Sequence, residues 1–368
     1  MTPPNPLRQR LGALKEPQLV RTLDELGFLG TVSEDATRVE LVVPVANWPH
    51  LDTLRDDVLG VAPTAEVVVR TMNDQERLEL RNTLRAAMVA PKGVGQHDHG
   101  DEQPKVLDRL SKTRVLGISS GKGGVGKSSV TVNLAIALAQ RGADVGVLDA
   151  DVYGFSLPKM LGATSDPIVL GDIVIPTLVH GVRALSMGYF VDDAQPVIWR
   201  GPMLHKAIEQ LVTEAWWDEP DYLLIDMPPG TGDVALTLSE IVPRVEMYVV
   251  TTPQAAAQRV AQRSAYAARK LKLALRGVIE NMSWFDAPDG TRHELFGAGG
   301  GAQLAHELGV ALLAQIPLAP ALREGGDRGE PIIVTDPDSA VARAFYDLAE
   351  RVSQQGPARV YRQELKLV

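Results

Sequence analysis

The sequence predicts an α/β fold: a doubly wound, mostly parallel sheet with helices on both faces, behind a small N-terminal α+β domain. Three observations predict it. Residues 121–128 read Gly-Lys-Gly-Gly-Val-Gly-Lys-Ser, two glycines five apart followed by lysine and a hydroxyl residue, which is the phosphate-loop pattern. Apolar runs at 115–118, 145–148, 222–225, 245–250, 277–279 and 312–316 are mostly separated by helical stretches, as parallel strands with crossovers require. Asp149, Asp151 and Asp226 stand at or just past the ends of such runs, where open α/β sheets bind their ligands.

The N-terminal domain is expected over residues 1–90. Leu19, Leu23 and Leu26 share one face of a helical pattern over 17–27. Strand-like residues follow at 38–43, a helical stretch at 51–58, a strand at 65–70 and a helix over 74–87. A linker is expected over 91–108, rich in glycine and polar residues, which lets the small domain move. His97 and His99 lie in it at a spacing that could hold a transition metal, but the polar, proline-flanked composition reads as solvated linker.

The nucleotide-binding domain is expected over 109–356. Residues 114–120 form a short apolar strand ahead of the loop. In the loop, Gly121, Gly123, Gly124 and Gly126 are expected to turn backbone N–H groups around a polyphosphate, in conformations that side chains forbid. Lys127 can reach the β- and γ-phosphates and Ser128 can ligate Mg²⁺. The helix over 128–141, with Val130, Leu134, Ala137 and Leu138 on one face and Gly142 as its stop, points its positive end at the anion. The strand 144–149 ends in a carboxylate, and Asp151 follows. The strand 222–226 ends in Asp226, the place that supports Mg²⁺ through water in phosphate-loop enzymes. Residues 228–233, Pro-Pro-Gly-Thr-Gly-Asp, can sense a γ-phosphate, with Gly230 and Asp233 relaying its loss. One strand-terminal aspartate is more often a helix cap; three behind a phosphate loop point to chemistry. The Gly-Ala-Gly-Gly-Gly stretch ending at Gly301 lacks the Lys-Ser ending and reads as a turn before a helix at 302–308. After Pro357 a short tail places Tyr361, Leu365 and Val368 on one helical face, too short and too weakly basic for a membrane anchor.

Composition sets outer limits. The chain has 368 residues, a net charge of −9 and no cysteine. The charge argues against broad nucleic-acid affinity. No run of eighteen apolar residues exists, and the start Met-Thr-Pro-Pro-Asn-Pro lacks a secretory pattern. Absence of cysteine fits a reducing compartment, so a cytoplasmic location without membrane attachment is expected.

The extra lysine, Lys122, makes residues 122–128 resemble the deviant Walker A ATPases, the group of ParA, MinD and the nitrogenase iron proteins. That resemblance implies an ATP- and Mg²⁺-dependent homodimer in which Lys122 reaches the partner's nucleotide. It also implies that Asp151 orients or deprotonates the attacking water and that Asn281 reads the adenine edge, with Val125 and Ser129 completing the nucleotide-binding loop. A tighter resemblance, over roughly 105–355, is to the Mrp/ApbC family. It rests on Leu-Asp-Ala-Asp-Val-Tyr-Gly (148–154), Trp-Arg-Gly-Pro-Met (199–203), Asp-Met-Pro-Pro-Gly-Thr-Gly-Asp (226–233), Glu-Asn-Met-Ser (280–283), Phe-Gly-Ala-Gly-Gly-Gly (296–301) and Gln-Ile-Pro-Leu (315–318). It implies carriage of iron–sulfur clusters to apoproteins, alone or with other assembly factors. The first ninety residues resemble a metal–sulfur cluster biosynthesis domain through Glu16-Pro17-Gln-Leu and Glu25-Leu-Gly-Phe-Leu. Family members that hold a cluster follow Asn-Met-Ser with Cys-Pro-x-Cys; here Ala287 and Gly290 take the cysteine places. Asp286, Asp289, His293 and Glu294 nearby are better explained by the Asp-Gly turn than by metal ligation. Since clusters are held by thiolates, cluster binding by this chain stays open, and an ATP-switched client adaptor or a spatial organiser of the ParA/MinD kind is the alternative.

Overall fold

The computed structural model describes residues 6–35, 37–89, 104–108, 111–152, 154–190, 201–230, 233–242 and 244–358. Two compact units are formed, one of Met1–Asp108, Pro167–Pro176 and Glu214–Asp218, the other of Arg109–Asp166, Thr177–Thr213 and Glu219–Val368. The first thus draws in two segments far from residues 1–90. Most of the expected linker, with His97 and His99, lies outside the described residues, as does the tail beyond 358.

The first unit begins with α1 (Pro6–Gly12) and α2 (Leu23–Leu26). A three-stranded sheet follows, with β1 (Leu29–Val32) antiparallel to β2 (Arg38–Val43) and β2 parallel to β3 (Glu66–Thr71). Helices α3 (Leu51–Val61) and α4 (Asp74–Met88) complete the early segment. An antiparallel hairpin, β6 (Ile168–Leu170) and β7 (Ile173–Ile175), supplies Leu170, Ile173 and Ile175 to a core that also holds Leu11, Phe28, Leu41, Trp48, Leu84 and Trp216. Capping boxes start α2 (Thr22 with Glu25) and α4 (Asn73 with Glu76).

The helix expected over 17–27 is reduced to Leu23–Leu26, because residues 16–20 form a turn instead. The buried Glu16 carboxylate accepts the Leu19 N–H at 2.5 Å and the Trp48 indole N–H at 3.0 Å, and Val20 is left-handed at φ 56°. The same turn binds the later segments. Gln18 Nε2 donates to the Pro176 carbonyl at 2.7 Å and Trp216 Nε1 to the Leu19 carbonyl at 3.3 Å. Arg21 forks onto Asp218 at 2.5 and 2.6 Å. Burial pushes the Glu16 carboxyl up to about 7.

The second unit is built on an eight-stranded sheet of order β15-β12-β11-β4-β10-β5-β9-β8. Its strands are β4 (Arg114–Ser120), β5 (Val145–Asp149), β8 (Thr177–Val179), β9 (Val182–Ser186), β10 (Tyr222–Asp226), β11 (Glu246–Thr251), β12 (Ala274–Asn281) and β15 (Ala311–Ile316). All neighbours pair in parallel except β8, which runs antiparallel to β9. The inner strands β4, β5 and β11 are fully buried between helices, which is why they read as continuous apolar runs. The helices are α5 (Lys127–Gln140), α6 (Leu157–Leu161), α7 (Gly201–Thr213), α8 (Asp233–Ile241), α9 (Ala255–Lys270), α10 (Gly300–Leu308), α11 (Pro320–Arg328), α12 (Ile332–Thr335) and α13 (Ala340–Gln354), with a small exposed hairpin of β13 (Phe285–Asp286) and β14 (Arg292–His293). Succession runs from β4 outward through β5 and β9, then through β11, β12 and β15 on the other side, so β4 marks the switch point where a ligand crevice is expected.

At the opposite end of the sheet, Arg114 pairs with Glu246 at 2.7 Å and donates to the Val352 carbonyl at 2.8 Å. Glu246 accepts the Ala358 N–H at 3.0 Å, so residues 352–358 are docked. No helix among the described residues is long and apolar enough to cross a membrane.

Candidate nucleotide-binding site

The loop after β4 owes its shape to three of its four glycines. Gly124 and Gly126 are left-handed, at φ 77° and 79°. A Cβ on Gly121 would lie 2.2 Å from the Ala261 backbone nitrogen, so α9 packs directly on the chain there. Gly123 was expected to need the same freedom, but it has neither a left-handed backbone nor a neighbour within 4 Å of a Cβ. Gly126 caps α5, whose first residue is Lys127.

Lys127, Ser128 and Asp226 converge. Asp226, fully buried at the end of β10, accepts Lys127 Nζ at 2.6 Å and Ser128 Oγ at 2.7 Å on one carboxylate oxygen. Its other oxygen takes the Thr131 hydroxyl at 2.7 Å. Asp151 lies 3.6 Å from Lys127 Nζ. A cavity of about 630 Å³ opens here, lined by loop residues 122–129, Asp151, Pro228, Pro229 and the apolar Leu204 and Val234. That volume suits a nucleotide-sized ligand. Ser128 and Asp226 offer oxygen only, a set that fits a hard cation such as Mg²⁺.

The remaining residues take distinct places. Lys122 Nζ donates to Gln254 Oε1, just ahead of α9, at 3.3 Å. Asn281, at the end of β12, does not line the cavity; its Nδ2 donates to the Val125 carbonyl at 2.9 Å, and its Oδ1 is buried without a partner. The Ser129 carbonyl accepts Asn133 Nδ2 at 2.9 Å. Gly230 is left-handed at φ 98° and donates its N–H to the Ser120 carbonyl at 2.8 Å. Asp233 is the first residue of α8. The Gly-Gly-Gly stretch at 299–301 opens α10, where Glu280 accepts the Gly301 N–H at 2.5 Å.

Sequence reasoning missed Thr131, and it singled out Asp149 as a strand-end acid without giving it its part in holding the Asp151 loop. Thr131 follows Lys127 by four, which puts both on one helix face. Asp149 accepts the N–H groups of Asp151 at 3.1 Å, Ser156 at 2.9 Å and Leu157 at 3.1 Å, fixing the loop that carries Asp151. Burial, then the neighbouring Asp226 charge, pushes the Asp149 carboxyl up to about 7.

The segment in the cysteine-pair position is a hairpin that satisfies itself. Asp286 accepts Trp284 Nε1 and Arg292 Nε, each at 2.9 Å, and the Arg292 guanidinium lies 4.2 Å from the Trp284 ring centre. Asp289 accepts the Thr291 N–H at 2.9 Å. Among the described residues no group of three or more His, Cys, Asp or Glu could hold a metal ion.

With this geometry in place, comparison with known proteins is decisive. The family model "ParA: NUBPL iron-transfer P-loop NTPase" matches residues 111–353. The chain belongs to this family. Curated relatives of this P-loop NTPase include the iron–sulfur cluster carrier protein of Mycobacterium tuberculosis, 39% identical over 366 residues, covering 94% of this chain and 92% of the relative. The iron–sulfur cluster carrier protein of Haemophilus influenzae is 45% identical over 359 residues, covering 95% and 91%. Among solved structures, the NTPase resembles a nucleotide-binding protein from Archaeoglobus fulgidus in complex with ADP, with 32% identity and a TM-score of 0.55 over 65% of this chain and 93% of that one. It also resembles the septum site-determining protein MinD of Pyrococcus horikoshii with Mg-ADP, with 28% identity and a TM-score of 0.52 over 66% and 97%.

Proposed function

We propose that the protein is a cytoplasmic ATPase that binds Mg-ATP on the 121–128 loop, works as a homodimer and serves iron–sulfur cluster assembly. The observation that carries this reading is that Lys127 and Ser128, which line a nucleotide-sized cavity, converge on the buried Asp226. The relatives' names supply the assembly context.

Lys127 and Ser128 are held by Asp226. Phosphate draws the Lys127 ammonium off the carboxylate, a swap of one charge-assisted partner for another. Ser128 and Asp226 would hold Mg²⁺, which would neutralise charge on the phosphate oxygens. Asp151 accepts a proton from the attacking water or orients it, on a loop kept in place by Asp149. Lys122, parked on Gln254, is released to complete the partner subunit's site. Val125 and Ser129 complete the loop, and Asn281, expected to read the adenine edge, instead supports the loop from behind through the Val125 carbonyl. Gly230 and Asp233 relay the departure of the γ-phosphate to α8.

Replacing Lys127 by Ala should weaken ADP binding by about 100-fold or more, read by titration calorimetry. Asp151→Asn should bind ADP normally and lose about 10²- to 10⁴-fold in phosphate release. An Asp151 variant with unimpaired turnover would remove Asp151 from the mechanism.

A cluster as cargo needs thiolates, and this chain has no cysteine. The ligands therefore come from the apoprotein client or from another assembly factor, while this chain supplies the nucleotide-driven step. Anaerobic treatment with iron and sulfide should leave the desalted protein without stoichiometric iron. Stable binding of iron to the chain alone would overturn this division of labour and return cluster carriage to its own residues.

A further inference from the structure

We infer that Thr131 is a positioning residue for the Mg²⁺ site, fixing the plane of the Asp226 carboxylate; this rests on the nucleotide reading above. Asp226 presents its two oxygens to different neighbours. Oδ2 receives both groups that must leave when nucleotide arrives, Lys127 Nζ at 2.6 Å and Ser128 Oγ at 2.7 Å. Oδ1 receives Thr131 Oγ1 at 2.7 Å, from a side chain on the fully buried turn of α5.

The Thr131 hydroxyl has a second acceptor in range, the Lys127 carbonyl at 3.1 Å. That contact is the ordinary back-bond of a threonine inside a helix. A hydroxyl has one proton, and the shorter distance and the charged acceptor both favour Asp226. The remaining surroundings make the bond matter. Asp226 stands beside Asp149 across the parallel pair of β10 and β5, and both are fully buried. Once Lys127 turns to phosphate and Ser128 to the cation, Asp226 keeps Thr131 as its hydrogen-bond donor among the side chains just described. Without that donor the carboxylate is free to rotate away from Asp149, and the oxygen offered to the cation is no longer fixed. Supporting groups of this kind tune metal sites by about 10- to 100-fold in affinity.

The test measures ADP affinity by titration calorimetry, with Mg²⁺ and with EDTA in its place, on wild-type protein and on Thr131→Val, Thr131→Ser and Thr131→Ala. The readout is the ratio of the two affinities, which a merely structural loss leaves unchanged. Thr131→Val should lower the gain from Mg²⁺ about 10-fold while ADP binding in EDTA stays within about twofold. Thr131→Ser, which keeps the hydroxyl, should restore the wild-type ratio. If Thr131→Val does not fold, Thr131→Ala carries the same expectation. An unchanged Mg²⁺ gain in the Val or Ala variant overturns the inference, and so does an equal loss with and without Mg²⁺. Wild-type protein that binds ADP equally with and without Mg²⁺ also overturns the inference, and wild-type protein that binds no ADP in either condition would sink the nucleotide reading and this inference with it.

Discussion

Within the site, the buried Lys127–Asp226 pair predicts a stability effect separate from catalysis. Removing one partner leaves the other charge buried and uncompensated, so Lys127→Ala should destabilise the nucleotide-free protein by about 3–5 kcal/mol. Chemical denaturation of that variant beside wild type checks this. Two glycines of the loop should separate cleanly. Gly126→Ala forces a side chain into a left-handed backbone and against Asn281 Nδ2 at 2.2 Å, so both ADP binding and thermal stability should fall sharply. Gly123→Ala meets nothing, and its melting temperature should stay within about 2 °C of wild type. Lys127, Ser128, Asp151 and Asp226 could be read from sequence because a phosphate loop and strand-end acids are short-range patterns. Thr131 could not, since a threonine in an apolar helix looks like core until the strand it faces is known. Lys122 was legible as unusual, but its resting partner Gln254 is 132 residues away and has no local signal.

At the level of single elements, α9 is positioned by absence of a side chain. Gly121→Ala would drive a Cβ into the Val260–Ala261 backbone, displacing the helix whose N-terminal neighbour Gln254 holds Lys122. Overpacking of this kind costs about 1–3 kcal/mol, and a thermal melt combined with ADP titration should show both losses together. The inner parallel strands were legible because burial on both faces makes them continuous apolar runs, and β5 and β10 end in the acids Asp149 and Asp226. The helix over 17–27 was over-read: Leu19, Leu23 and Leu26 keep helical spacing, but the Glu16 carboxylate competes for the Leu19 N–H and Val20 turns left-handed. The hairpin of β6 and β7 was under-read. Its strands flank Gly171-Asp172, a two-residue turn with Gly171 at φ 66°, but each strand has only three residues and its burial comes from distant chain.

Across the whole molecule, Glu16 predicts a pH dependence of the first unit. Its carboxyl titrates at about 7 in the folded unit against 4.5 ordinarily, because burial disfavours its charge. Between those values the folded unit holds a proton that the unfolded chain has released, so stability falls as pH rises from about 4.5 to about 7. The full contribution is about 3 kcal/mol. Glu16→Gln should flatten the difference between denaturation at pH 5 and pH 8, followed through Trp48; a retained difference would assign it elsewhere. Deleting residues 1–108 should leave Leu170, Ile173, Ile175 and Trp216 without their core, giving a fragment that aggregates on heating. None of this interleaving was legible in sequence, since no local pattern reveals that residues 167–176 and 214–218 complete a unit begun at the start of the chain. It also fixes an order of events on the ribosome. The first unit cannot close when its first 108 residues emerge; it must wait for Trp216, roughly a hundred residues later, about 5–20 s at ordinary synthesis rates. For that interval the core begun by residues 1–108 lacks Leu170, Ile173, Ile175 and Trp216, and the nascent chain presents to the folding machinery of the cell an apolar surface that the finished protein hides.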